Sequence, residues 1–385
     1  MKKIKKQNNK QILEGSRAIA LTIKNIAPDV ISAYPITPQT HIVEDLAKFK
    51  ANGEASYEYI RAESEFAAAS IVLGAAAAGS RAYSATSSQG LLLMTEVLYN
   101  ISGMRLPLVI TCANRAISAP INIWNDHSDA MAVKDSGFMQ FFAENHQEAV
   151  YQHILAYKIS EKMNIPVMVN VDGFILTHSY EEVSIPSYST IKKYLPAFKP
   201  SSGTYLDPKN PVTLGGFYPP KHYQKTREDL FGDMQKALLE IKKEWKNLSL
   251  IFNYKNKGNG LVEYTGPKMA TTIIIALGSV AGTIKEVIRD NKNVALLKIT
   301  SFRPFPAIEI KKLTKSAKNI VVIDKAISLG NAGPLGIEVQ AALRDEKKNI
   351  KNYFAGLGGC DITEKQITNI IKNANIKSDK TLFNI

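Results

Sequence analysis

Side chains able to move protons or hold anions gather at the points where an apolar run gives way to a helix-like one. The first such point is Ile31 to Thr40, I-S-A-Y-P-I-T-P-Q-T. Pro35 stops the apolar run because it has no N–H to give a sheet, and Pro38 suits the first turn of a helix, so Thr37 is the predicted N-cap. Its hydroxyl then stands at the carboxyl end of a strand and the amino end of a helix, where open α/β sheets take their ligands. The second point is R-A-E-S-E-F-A-A-A-S-I-V-L-G-A-A-A-A-G. Ser64 is placed to cap a helix. Glu65, in its first turn, reads either as a charge that the helix dipole favours or as a partly buried acid holding a proton for a cofactor nitrogen. The small residues behind it, Ala67 to Gly79, let another backbone or a flat ligand come close.

The third point is V-I-T-C-A-N-R-A-I-S-A-P-I-N-I-W-N-D-H-S-D, which leaves a buried strand for a long loop. Arg115 lies just past the strand end, where its planar fork either grips a ligand carboxylate or pairs internally with Glu63 or Asp126. Ile123 and Trp124 are placed to wall a pocket. Asp126, His127 and Asp129 admit a metal reading, but D-H-x-D on a loop more often makes a hydrogen-bonded cap or an interface contact. Thr86 to Gly90, T-S-S-Q-G, is another strand-to-helix turn, offering Ser88, Gln89 and Gly90 to an anion or a pyrimidine.

Positioning these groups requires alternating strands and helices. The periodicity predicts helices at Ile12–Ile26, Pro38–Lys50, Ser64–Ala78, Leu91–Ile101 and Gln147–Met163, with strands at Asp29–Tyr34, Ala55–Arg61, Arg81–Thr86, Leu106–Ala113 and Pro166–Val171. Such alternation implies a parallel sheet covered on both faces, in an α/β domain spanning residues 1–184. From 185 to 267 the pattern loosens into prolines, glycines and tyrosines around one helix, Thr226–Leu248, which reads as an irregular connecting segment. A second α/β unit fills 268–385. Its strands are expected at Thr272–Leu277, Val294–Ile299, Asn319–Asp324 and Tyr353–Ala355, its helices at Ile284–Asp290, Ala307–Ser316, Gly333–Leu343 and Thr363–Asn373, and G-S-V-A-G is expected as a tight turn. The last dozen residues carry no strong signal.

Composition narrows the function classes. With 45% hydrophobic and 22% charged residues over 385 positions, the chain has an ordinary globular balance. No apolar run of about 18 residues is present, and the Lys-rich start MKKIKKQNNK leads into an amphipathic segment rather than a signal-peptide core, so a cytoplasmic protein without membrane association is expected. Net charge is +13, yet no basic helix interleaves with aromatics, which favours an acidic partner or solvated surface over nucleic acid. Cys112 and Cys360 are too few to build a disulfide framework or an iron–sulfur or zinc site from this chain, and both read as small buried apolar groups.

Taken together, Y-P-I-T-P-Q-T, R-A-E-S-E-F-A-A, A-T-S-S-Q-G, the Arg115 loop and V-D-G-F-I-L-T-H resemble, in the same order, the alpha subunit of the pyruvate:ferredoxin oxidoreductases. The later L-G-S-V-A-G, F-R-P-F-P and S-L-G-N-A-G-P-L resemble that family's second domain. The resemblance implies a thiamine-diphosphate pyrimidine-binding domain followed by a smaller transketolase C-terminal-like domain, more structural than catalytic. It implies that Glu65 hydrogen-bonds the pyrimidine nitrogen, with Ser88, Gln89 and Gly90 beside the ring. It also implies that Thr37 and Arg115 grip the substrate, Arg115 facing its carboxylate, and that Ile123 walls the pocket. The implied reaction is the reversible oxidative decarboxylation of pyruvate to acetyl-coenzyme A and carbon dioxide, with ferredoxin or flavodoxin taking the electrons. No G-D-G run followed by a metal-binding Asn and no C-x-x-C-x-x-C repeat occurs in the chain. The resemblance therefore places Mg2+ and the [4Fe-4S] clusters on partner subunits: the diphosphate half and a cluster on a beta subunit, further clusters on a delta subunit, with a gamma subunit completing the complex. The alternatives are a sibling acting on branched-chain 2-oxoacids or 2-oxoglutarate, and a non-catalytic scaffold subunit.

Overall fold

Four short runs, V-I-S-A, A-Y-S-A-T, V-I-T-C-A-N and V-M-V-N-V-D, have almost no exposed position, so they suit inner strands of a sheet covered on both faces. The computed structural model describes residues 10–374 and 382–383; the basic tip and most of the last dozen residues lie outside that description. The four runs form the centre of a seven-stranded sheet. Its order is Ser301–Arg303, Met139–Phe142, Val167–Asp172, Val109–Asn114, Ala82–Thr86, Val30–Ala33 and Glu58–Arg61. All its pairings are parallel except that of Ser301–Arg303, which runs antiparallel to Met139–Phe142.

A second, six-stranded sheet runs Leu382–Phe383, Asn349–Phe354, Asn319–Asp324, Thr272–Ala276, Val294–Ile299 and Val262–Thr265. It too is parallel apart from its last strand. The α/β expectation holds for both halves, and the halves interlock: a strand that follows the second half's Val294–Ile299 extends the first sheet. A lysine cluster pins the same junction. Lys298, 1% exposed, reaches Glu144 Oε2 at 2.6 Å, Glu148 at 3.0 Å and Glu263 at 3.1 Å, while Lys285 reaches Glu144 and Glu263 from the side. Burial disfavours the charge of Lys298, but three carboxylates outweigh it and hold its pKa above the usual lysine range.

Several expected elements shift. Ile12 belongs to a strand, Lys10–Glu14, paired with Tyr180–Ser184, and the helix starts only at Gly15. A Cβ at Gly15 would lie 1.7 Å from the Leu176 carbonyl oxygen, so the chain turns where it has no side chain. The helix expected at Leu91–Ile101 divides at Met94 into Ser88–Leu93 and Thr95–Gly103. G-S-V-A-G is not a tight turn, because Val280 already opens a helix that runs to Val287. The strand Met139–Phe142 has no alternation to reveal it, being buried at all four positions. Within 185–267 the helix is longer than expected, Pro220–Ile251, and it lays Leu230, Ala237, Ile241, Trp245 and Leu248 onto the core. Lys162 in the helix His146–Met163 ties down its polar side through Glu240 at 2.5 Å and Glu244 at 3.2 Å. No helix among the described residues is long and apolar enough to cross a membrane.

Candidate active site

The carboxyl edge of the seven-stranded sheet brings the expected residues together through a chain of contacts. Ser64 caps the helix Glu65–Ala77, its Oγ accepting from Ala67 N at 3.1 Å, and this fixes Glu65 in the first turn. Glu65 is only 8% exposed, and no side chain or backbone group of the described residues hydrogen-bonds its carboxylate. It lies against the next turn: a Cβ on Gly90 would fall 2.6 Å from Glu65 Oε1, so glycine is required there for the acid to sit where it does. In the same turn, Thr86 Oγ1 and Gln89 Nε2 are buried without partners. Native structures rarely leave buried polar atoms unpaired. With the Glu65 carboxylate and Thr86 Oγ1 both against Gly90, these two unpaired atoms mark a recess suited to a flat ring that carries its own donors and acceptors.

Ser88 anchors that turn from below. Its Oγ donates to Ala116 O at 2.5 Å, with Gln89 Oε1 a second acceptor within reach of the same proton, and its N–H donates to Asp129 Oδ2 at 2.9 Å. The second oxyanion-seeking group stands alongside. Arg115, 7% exposed, donates Nε to Asn122 O at 3.0 Å and Nη1 to Thr37 O at 2.9 Å. Neither Glu63 nor Asp126 pairs with it, so the internal ion pair is not formed. Burial lowers the Arg115 pKa and the nearby Asp129 charge opposes that, leaving a cation held by two carbonyls with its Nη2 edge free to meet an anion.

Thr37 departs from expectation. It is exposed, in a turn over residues 37–39; the helix begins at Thr40, and Gln39 is its N-cap residue, with no side-chain capping bond. Gln39 is fully buried instead, donating Nε2 to Tyr34 O at 3.1 Å and Ala85 O at 2.8 Å, so it is Gln39 that fixes the turn and leaves the Thr37 hydroxyl uncommitted. Ile123 and Trp124 are 39% and 51% exposed in the Arg115 loop, and Phe66, next to Glu65, and Leu93, at the end of the helix Ser88–Leu93, are exposed apolar side chains as well. Trp124 packs on Phe174, ring centroids 4.6 Å apart, over a cavity of about 480 Å³ also lined by Asn125, Ser279, Lys325 and Cys360. Glu65 is not among the walls of that cavity.

The D-H-x-D residues do not converge on a metal. Asp126 accepts from Ser128 N at 2.9 Å and Gly358 N at 3.2 Å, His127 Nε2 meets Asp172 Oδ1 at 2.7 Å, and Asp129 points the other way into the strand end. Each tip is spent on a different network. Apart from this edge, Glu14, His41 and His178 meet from three segments, but His41 Nδ1 is already paired with Glu14 Oε1 at 2.6 Å. Cys112 is buried, with a thiol pushed up by burial and by Asp129, whereas Cys360 is exposed rather than buried.

Residues with no overt sequence signal brace the loop from the second half. Asn122 Nδ2 donates to Gly358 O at 3.0 Å, Gly359 N donates to Asn125 O at 2.7 Å, and His127 N donates to Lys325 O at 2.7 Å. Lys325 Nζ in turn lies 2.9 Å from Asp172 Oδ2 and also bonds Asn125. Burial works against the Asp172 charge, but Lys325 and His127 outweigh it and hold its pKa well below the carboxylate range. G-L-G-G at 356–359 is the one hint in the sequence: a Cβ on Gly359 would lie 2.3 Å from Trp124 Cβ.

A family model described as "Pyruvate flavodoxin/ferredoxin oxidoreductase, thiamine diP-bdg" matches residues 22–245, and "Pyruvate:ferredoxin oxidoreductase core domain II" matches 270–367. Among curated proteins, pyruvate synthase subunit PorA of Methanocaldococcus jannaschii is 48% identical over 97% of each chain. Ketoisovalerate oxidoreductase subunit VorA of Pyrococcus horikoshii is 37% identical, covering 94% of this chain and 93% of that one. Among solved structures, 2-oxoglutarate:ferredoxin oxidoreductase of Magnetococcus marinus superposes with a TM-score of 0.73 at 21% identity, over 95% of this chain and 65% of that chain, a likeness of fold.

Proposed function

The chain belongs to the pyruvate:ferredoxin oxidoreductase family, and we propose on that premise that it is the alpha subunit of a pyruvate synthase, supplying one half of a thiamine-diphosphate site. The observation that carries this reading is Glu65, a largely buried residue whose carboxylate accepts no hydrogen bond from the described residues and lies against Gly90. Glu65 would hold the pyrimidine ring nitrogen, and the Thr86 hydroxyl and Gln89 amide beside it would satisfy other polar edges of the ring. When bound, thiamine diphosphate supplies the carbon nucleophile and electron sink for 2-oxoacid decarboxylation.

This chain's residues have four tasks in that reaction. Glu65 exchanges a proton with the ring nitrogen from a largely buried position in the first turn of its helix. Arg115 offers its free guanidinium edge to the carboxylate of pyruvate, and its two carbonyl anchors stop it from following the substrate out. Thr37, its hydroxyl uncommitted, is within the same turn to donate to the keto oxygen. Ile123 limits the room for a side chain. The exposed apolar side chains of Phe66, Leu93, Ile123 and Trp124 are where a beta subunit would close the site, bringing the diphosphate half with Mg2+ and a [4Fe-4S] cluster. Gamma and delta subunits, coenzyme A and ferredoxin or flavodoxin complete the assignment.

Pyruvate is favoured over a branched 2-oxoacid because relatives named pyruvate synthase reach 48% identity and the relative named ketoisovalerate oxidoreductase 37%. The test is Glu65→Gln in the complex reconstituted with its partners. Loss of pyruvate-dependent dye reduction with assembly intact is expected; retained turnover would leave the chain as a scaffold.

A further inference from the structure

Two groups that the proposed reaction needs in register, the turn under the pyrimidine and the arginine for the substrate, come from different strand ends. Both are tied to a single side chain. Asp129 is fully buried, at the start of the helix Ser128–Ala132. Its Oδ2 accepts from the backbone N–H of Ser88 at 2.9 Å and from that of Arg115 at 2.9 Å. Its Oδ1 accepts from Asn114 Nδ2 at 3.0 Å and from Ala130 N at 2.7 Å. The Cys112 thiol completes the shell, 3.4 Å from Oδ2. Every group facing the carboxylate is a donor.

Ser88 gives the tie its purpose. It has φ of +47°, in the left-handed region that a side chain disfavours, immediately before the residues that face Glu65. Such a conformation persists only where neighbours over-determine it. The Asp129 bond to its N–H and the Ala116 carbonyl at its Oγ do so, and Ala116 directly follows Arg115. Movement of one loop is therefore transmitted to the other. Asparagine in place of Asp129 would turn an N–H donor toward donors, so an acceptor at both oxygens is required rather than a shape.

We propose that Asp129 is a positioning residue that locks the cofactor turn at Ser88 and the substrate cation Arg115 to one another, so that cofactor and 2-oxoacid are bound in a fixed relative geometry. The inference rests on the function proposed above for those two groups. It is tested on the assembled complex with two separable constants: the Kd for thiamine diphosphate, from quenching of intrinsic fluorescence, and the KM for pyruvate. Asp129→Asn should raise both together, each by about tenfold or more. Arg115→Lys should raise the pyruvate KM alone. A residue that merely stabilises the fold would lower Tm and leave both constants in place, and that result overturns the proposal. If Asp129→Asn does not assemble, Asn114→Ala removes one donor to the same carboxylate and should raise both constants by a smaller factor; a change in only one of them, or in neither, overturns it. The two ideas fail differently. Full turnover by Glu65→Gln refutes the catalytic reading, whereas an inactive Glu65→Gln beside an Asp129→Asn with unaltered constants refutes only the coupling.

Discussion

Two acids occupy matching places in the two halves of the molecule and are treated in opposite ways. Asp324 ends a strand of the second sheet and faces the start of the helix Pro334–Ala342, where it accepts from Leu335 N at 2.9 Å, Gly336 N at 2.9 Å and Asn352 Nδ2 at 2.7 Å. Glu65 opens a helix at the same kind of edge in the first sheet and accepts from nothing. Both are buried. A carboxylate whose lone pairs are filled by its own backbone is a brace. One that accepts nothing from its own chain leaves its lone pairs open to a donor from outside, and is on the function proposed above a socket. The second half, through Gly358, Gly359 and Lys325, holds the loop of the first half in place.

The contrast is sharpest in a pair of substitutions. Glu65→Gln should lower turnover of the assembled complex by about 10²- to 10⁴-fold, the usual contribution of a positioned acid or base, with little change in Tm. Asp324→Asn should do the reverse, lowering Tm and leaving the pyruvate KM alone; loss of turnover at an unchanged Tm would erase the distinction between brace and socket. Next in size is the joint between the halves. Asp172→Ala leaves the Lys325 ammonium buried among Asn125 and backbone, and a broken buried pair costs about 3–5 kcal/mol, to be read as a lower urea midpoint. Arg115→Ala should lower kcat/KM for pyruvate about 10- to 100-fold, the value of a charge-assisted hydrogen bond. Unchanged kinetics would remove Arg115 from the socket.

A smaller effect separates the acids by pH. Burial pushes the Asp324 pKa up to about 6, its three donors opposing but not cancelling this. The folded state thus binds that proton more tightly than the unfolded chain. Its contribution to stability is full below the unfolded value near 4 and is lost as pH rises through about 6. Asp172, depressed by Lys325 and His127, acts with the opposite sign and only in the acid range, its contribution fading as pH falls below about 4. Melts of Asp324→Asn should therefore be flatter than wild type between pH 4 and 6 and parallel to it below. The smallest change expected is Ser64→Ala, about 1 kcal/mol for a lost cap, with a modest rise in the thiamine diphosphate Kd because Glu65 rides on the first turn that Ser64 fixes.

How far the sequence could be read follows from which interactions are local. Ser64 and Glu65 were legible because a cap and its first turn are neighbours in the chain, and the buried strands were legible because burial on both faces writes a continuous apolar run. Thr37 was misplaced as a cap because Gln39 is held by Ala85, more than forty residues away, and local preference cannot register that bond. The place of Arg115 at the strand end is legible, but not its anchors, since backbone carbonyls carry no signature of their partners. Asp129 was noticed as a possible metal ligand for its type and spacing, yet its donors come from Ser88, Asn114 and Arg115, and only the fold brings these together. The second half's grip on the Arg115 loop was invisible for the same reason, apart from the glycines at 356–359.

The central claim is that Glu65 is a socket for the cofactor ring. The most direct measurement is the structure of the assembled complex with thiamine diphosphate bound, read at one distance. The Glu65 carboxyl group should lie about 2.6–3.2 Å from the pyrimidine ring nitrogen, with Gly90 against its flank. A bound cofactor whose ring lies elsewhere, with Glu65 still unpaired or turned to water, would contradict the account.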